Sequence, residues 1–136
     1  MKIVLDTNVL ISGIFWSGPP YKILKAWQNK KIKLVLSEEI LKEYDFVANE
    51  LAKKYPAIDL APFMELLTIH AELHTPVKLK EQISRDPADD MFIACALAAK
   101  VKIIVSGDKD LLTVTGLREI EVLKPSTFVQ RFLASD

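Results

Sequence analysis

Three short, wholly aliphatic runs punctuate the chain, Ile3-Val4-Leu5, Leu34-Val35-Leu36 and Ile103-Ile104-Val105, with a further strand pattern at Ile120 to Leu123. A strand that is apolar on both faces has to be covered on both sides, which an antiparallel sheet open to water does not require. The stretches between these runs carry helical spacing. Alternation of this kind predicts an α/β fold with a parallel sheet sandwiched between helices.

Asn8 offers a cap for a helix carrying Val9, Leu10, Ile11 and Ile14, broken by Ser17-Gly18-Pro19-Pro20. A second helix is expected from Pro20 or Tyr21 to about Lys31, burying Ile23, Leu24 and Trp27. Ser37 is an N-cap candidate for a helix to about Lys54, with Glu38 and Glu39 at its positive end. Another helix is expected from Asp59 to about His70, then a short extended piece from Glu72 to Val77. Asp86-Pro87 places a capping acid before a proline at the first helical position, and the helix from Pro87 to Lys100 is apolar almost all round, as a buried helix is. A helix from Ser126 to Leu133 follows the last strand.

The length suits one domain spanning residues 1–136. Lys plus Arg and Asp plus Glu each number 18, so total charge neither favours nor excludes a polyanionic partner. The single cysteine, Cys95, lies in the apolar run from Met91 to Ala99, which excludes an internal disulfide and a cysteine zinc site and reads as a core position. A cytoplasmic protein is expected, with no signal-type stretch and no window of roughly 20 apolar residues to span a membrane.

Acidic residues stand where such a fold sends its chain ends. Asp6 follows the first strand and Asp108 follows Ser106-Gly107 after the third aliphatic run, and ligands of open α/β sheets bind beyond the carboxyl ends of strands. Glu43 borders the apolar face of the Ser37 to Lys54 helix, beside Ile40 and Val47. In Asp86-Pro87-Ala88-Asp89-Asp90, Asp86 and Asp89 have the spacing of a capping box, which leaves Asp90 as the surplus acid. Asp110 is a reserve candidate. Two carboxylates about 4 Å apart repel by on the order of 4 kcal/mol at an effective dielectric of about 20, against a total domain stability of only about 5–15 kcal/mol. A converging set therefore calls for a divalent cation, and all-oxygen ligands suit Mg²⁺ or Mn²⁺. Such an ion supports phosphodiester hydrolysis.

The chain resembles PIN-domain proteins, in particular VapC-type ribonuclease toxins and the toxin components grouped with them. The resemblance rests on Val4-Leu5-Asp6-Thr7-Asn8-Val9-Leu10, on Ser37-Glu38-Glu39-Ile40-Leu41-Lys42-Glu43-Tyr44, on Asp86-Pro87-Ala88-Asp89-Asp90-Met91-Phe92-Ile93-Ala94-Cys95-Ala96, and on Ile104-Val105-Ser106-Gly107-Asp108-Lys109-Asp110-Leu111. It implies a three-layer α/β/α sandwich and Mg²⁺- or Mn²⁺-dependent cleavage of single-stranded RNA. It also implies a homodimer and silencing by a cognate antitoxin. The acidic quartet of the family falls on Asp6, Glu43, Asp90 and Asp108 as catalytic metal ligands, with Asn8 and Ser106 as supporting positions that hydrogen-bond the acids. Other PIN domains process RNA without an antitoxin, and a metal-free module that binds RNA or protein is a further alternative.

Lys22, Lys25 and Lys30 lie in an acid-free stretch with Trp16, Tyr21 and Trp27, a mixture suited to RNA, although a solvated helix face explains it equally. His70 and His74 stand four apart without an HExxH pattern and read as non-ligands. The Phe15 to Pro20 loop is expected as a lip over the site, a dimer contact or a simple anchored turn.

Overall fold

The computed structural model describes residues 1–133. Five strands form one parallel sheet, β1 (Lys2–Leu5), β2 (Lys33–Leu36), β3 (Glu72–Leu73), β4 (Ile103–Val105) and β5 (Glu121–Leu123), in the order β3-β2-β1-β4-β5. Helices connect them: α1 (Thr7–Phe15), α2 (Pro19–Gln28), α3 (Glu38–Ala52), α4 (Ala61–His70), α5 (Asp90–Ala99), α6 (Lys109–Leu112) and α7 (Pro125–Phe128). The architecture is the three-layer α/β/α sandwich.

Aliphatic continuity explains the sheet. Ile3, Val4, Leu5, Leu34, Val35, Leu36, Ile104 and Val105 are all at most 2 % exposed, and Val4 pairs with Ile104 while Ile3 pairs with Leu34. α5 packs across β1, β2 and β4, and Phe92, Ile93, Cys95 and Ala96 are buried in it, as its nearly uniform hydrophobicity requires. Cys95 is thus a core residue, with its thiol pushed up to about 12 by burial. On the other flank of α1, α2 approaches closely at Gly13, where a Cβ would lie 2.6 Å from the Leu24 side chain and 2.8 Å from the Pro20 carbonyl.

Several boundaries differ from expectation. α1 starts two residues early, so that Asp6 takes the N-cap position in place of Asn8. α2 ends at Gln28, after which Lys30 takes a left-handed turn. The extended piece after α4 pairs only at Glu72–Leu73. Before α5 the chain makes a 3₁₀ turn, Pro87–Asp89, and the last helix passes from α7 into a π turn at Val129–Leu133. Ser37 caps α3 as expected, its Oγ accepting the Ile40 amide at 3.2 Å. None of the helices among the described residues is long and apolar enough to cross a membrane.

Candidate active site

The chain moves outward from β1 through β2 to β3, then returns to the other side of β1 for β4 and β5. The helices after β1 and β4 therefore diverge, and a crevice opens between them at the carboxyl ends of these two strands. Asp6 and Ser106 are the first residues beyond those ends. Their backbones remain in register, with the Asp6 amide donating to the Val105 carbonyl at 2.9 Å.

Asp6 is 5 % exposed and Ser106 is fully buried. The Ser106 hydroxyl donates to Asp6 Oδ2 at 2.6 Å and accepts the Asp108 amide at 2.9 Å. One side chain thus joins the Asp6 carboxylate to the backbone of Asp108. Asp108 caps α6, its Oδ1 accepting the Asp110 amide at 2.8 Å. Burial raises the Asp6 pKa above its usual value, against the Ser106 hydrogen bond that lowers it, and the Asp108 charge raises it further.

Glu43 reaches this edge through α3. The Tyr44 hydroxyl donates to the Leu5 carbonyl at the end of β1, which ties α3 to the strand that delivers Asp6. One residue earlier on the same helix, Glu43 accepts the Thr7 hydroxyl. Tyr44 is buried, and its pKa is pushed well up by that burial and by the charges of Asp6 and Glu43.

The two neighbouring acids at the start of α5 face in other directions than the capping-box spacing suggests. Asp86 caps the 3₁₀ turn by accepting the Ala88 amide at 3.0 Å, while Asp89 makes no capping bond. Asp89 is instead buried, 8 % exposed, and its Oδ2 has no protein hydrogen-bond partner. Its pKa is pushed up to about 7, first by burial and then by the charges of Asp108, Asp6, Asp86 and Asp110. Asp89 is therefore the acid that shares a field with Asp6 and Asp108. Asp90 faces elsewhere: its Oδ2 accepts the Ile83 amide at 2.9 Å and its Oδ1 the Ser84 amide at 2.7 Å. The capping-box pattern concealed the inward acid, and Asp90, expected as a ligand, is occupied in holding a loop.

Asn8 differs as well. It is exposed and lines a groove between α1 and α3 with Ile11, Trp16, Val47 and Lys54. Its amide nitrogen, not its side chain, favours the Asp6 carboxylate. Trp16 follows the carboxyl end of α1 and clusters with Phe15 and Tyr55, ring centroids 6.0 Å apart, which anchors the start of the Phe15 to Pro20 loop. Lys22 and Lys25 line a cavity with Tyr21 and Val129. Lys30 lines another with Lys33, the first residue of β2, and so stands toward the amino edge of the sheet, opposite the acids. His74 bonds Glu72 at 2.7 Å, and His70 ends α4.

Among the described residues no group of three or more acidic, histidine or cysteine side chains is placed so that it could hold a metal ion as it stands. The donor set still fits a hard cation. It is made of carboxylates, two of them with raised pKa values, and the unpaired buried Oδ2 of Asp89 is a polar atom for which a cation is a natural partner.

A parallel five-stranded sheet with acids beyond the carboxyl ends of β1 and β4 places them where open α/β sheets bind their ligands. A family model described as a PIN domain matches residues 2–110, and the chain belongs to the PIN-domain family. PIN domains are generally nucleases that act on RNA, and they typically bind divalent metals. No curated protein matches the chain.

Proposed function

We propose that this protein is a metal-dependent endoribonuclease that hydrolyses phosphodiesters of single-stranded RNA. The observation that carries the reading is the placement of Asp6, Asp89 and Asp108, from three separate connections, toward one partly buried edge, where the Asp108 charge raises the cost of ionising Asp6 and both charges raise that of Asp89. Asp6, Asp89 and Asp108 would hold Mg²⁺ or Mn²⁺, with Glu43 beside Thr7 completing the acidic rim. When bound, the ion supplies Lewis acidity and charge stabilisation at the phosphoryl group.

The chain's own contribution is positioning. Ser106 orients Asp6, the Asp110 amide orients Asp108, and Thr7 orients Glu43. In the hydrolysis a water oxygen joins phosphorus and the bond from phosphorus to one ribose oxygen breaks. That oxygen receives the proton the water gives up.

The test is cleavage of a mixed single-stranded RNA pool in Mn²⁺, in Mg²⁺ and in chelator, with wild type and Asp6→Asn. Cleavage by wild type alone, and only with metal, supports the reading. RNA retention without cleavage under any of these conditions would favour the metal-free binding module. The motif resemblance carries a finer proposal, that the nuclease is a toxin silenced by a protein antitoxin and works as a homodimer. Growth arrest on expressing wild type but not Asp6→Asn supports the toxin role; unimpaired growth with active enzyme favours RNA processing instead.

A further inference from the structure

The segment that leads into α5 is held by side chains of its own neighbourhood, and it carries a cation to the acidic edge. Asp90 accepts the amides of Ile83 and Ser84, one on each carboxylate oxygen. From within the segment, the Gln82 side-chain amide donates to the Ser84 carbonyl at 2.9 Å and the Arg85 carbonyl at 3.0 Å. These bonds fix backbone that has neither helix nor strand to order it. Ser84 is 2 % exposed beneath them, whereas the Arg85 side chain is 87 % exposed, with Nη1 3.9 Å from Asp110 Oδ1.

That pair is too long for a hydrogen bond and too exposed to hold the guanidinium firmly. Its place matters more than its strength. The Asp110 amide is bonded to Asp108, and the Asp110 charge reaches Asp89, so Arg85 stands at the rim of the acidic site. A phosphodiester approaching carboxylates is repelled, and a cation at the rim offsets that repulsion. The planar fork of arginine also matches two phosphate oxygens at once.

We propose that Arg85 binds the non-bridging oxygens of the RNA phosphodiester, leaving Asp110 as it does so, and that Asp90 is a positioning residue that holds the loop presenting it. This rests on the nuclease reading above. The step is an exchange of ionic partners, with no bond made or broken.

The experiment measures Mn²⁺-dependent cleavage of a single-stranded RNA by wild type, Arg85→Ala, Arg85→Lys, Asp90→Ala, Asp90→Asn and the Arg85→Ala/Asp90→Ala double variant, with melting curves for each. Arg85→Ala is expected to lower kcat/KM about 100-fold, the scale for losing one aimed donor to a developing phosphoryl charge, at unchanged melting temperature. Arg85→Lys should recover part of this through charge alone. Asp90→Ala should match Arg85→Ala, and the double variant should fall little further, since the two act through one contact. Asp90→Asn keeps an acceptor oxygen and should recover most of the rate. Arg85→Ala cleaving within about twofold of wild type, with Asp6→Asn inactive, overturns the role of Arg85 and leaves the nuclease reading standing. Full additivity in the double variant overturns the role of Asp90. A folded wild type that cleaves no RNA overturns both readings. If Asp90→Ala fails to fold, the Arg85 variants alone decide.

Discussion

The two ends of β1 treat charge in opposite ways. At its start, Lys2 is 44 % exposed and bonds Glu72 at 3.0 Å, and Glu72 also takes His74. Just past its other end, Asp6 is buried and its side chain is held by a neutral hydroxyl. The pKa values follow: Glu72 is lowered by its bonds to His74 and Lys2, whereas Asp6 and Asp89 are raised by burial and by one another's neighbours. A protein able to pair a surface glutamate twice leaves its buried aspartates without a cation bonded to them among the described residues. An arrangement that costs folding energy at one edge, beside an ordinary solution at the other, makes the costly edge the candidate for function.

The sharpest attempt to break this contrast is substitution without change of volume. Asp6→Asn, Asp89→Asn and Asp108→Asn are each expected to lower RNA cleavage by about 1000-fold or more, within the range for removing principal catalytic groups, while Asp90→Asn stays within about tenfold of wild type. Cleavage assays in Mn²⁺ decide it, and an inactive Asp90→Asn beside an active Asp89→Asn would reverse the assignment made from the geometry. Next, Mn²⁺ should raise the melting temperature of wild type, since binding to the folded state at 100 times the dissociation constant adds about 2.7 kcal/mol. Thermal melts with ion and with chelator check this, and Asp89→Asn should show a smaller gain.

The third prediction concerns pH. Asp89 has an ordinary value of 3.8 and is pushed up to about 7 in the fold, so between those limits the folded protein binds the proton more tightly than the unfolded chain. Stability therefore falls as pH rises through this window, and the penalty is complete above it. In chelator, Asp89→Asn should melt higher than wild type at pH 8, by on the order of 2 kcal/mol, and should lose that advantage at pH 4. Equal melting at both values would show that the carboxylate is not strained. The smallest effect belongs to the other end of β1. Glu72→Gln should cost less than about 1 kcal/mol, because its partners are partly solvated. Its pKa is lowered, so that contribution is present at neutral pH and lost on acidification. Cleavage by this variant should match wild type.

Much of the fold was legible because it rests on local patterns. Ile3 to Leu5 and Ile103 to Val105 read as buried strands, Ser37 as a cap and Met91 to Ala99 as a buried helix, and the structure agrees. Asp6 and Asp108 were legible as residues just past strand ends. The choice between Asp89 and Asp90 was not. Asp86, Pro87 and Asp89 fit the opening of an α-helix, but the chain turns in a tighter 3₁₀ manner there, and adjacent residues then point in different directions from those an α-helix assigns. The partners of Asp90 lie six and seven residues back in a loop without periodicity, which no spacing rule anticipates. Thr7 and Tyr44 were hidden for the same reason, since both act across 36 to 39 residues of chain.

The Ser106 to Asp6 bond joins residues 100 positions apart, and its consequence is one of timing. On a ribosome, Asp6 emerges long before β4 exists to lie beside it, and domains complete their folding only as their last elements arrive. The central pair β1 and β4, and with it the register of Asp6 against Val105, is assembled late. On the nuclease reading proposed above, a nascent chain would thus stay inactive until β4 has been made. A fragment ending before Lys102 is expected to bind no metal and cut no RNA.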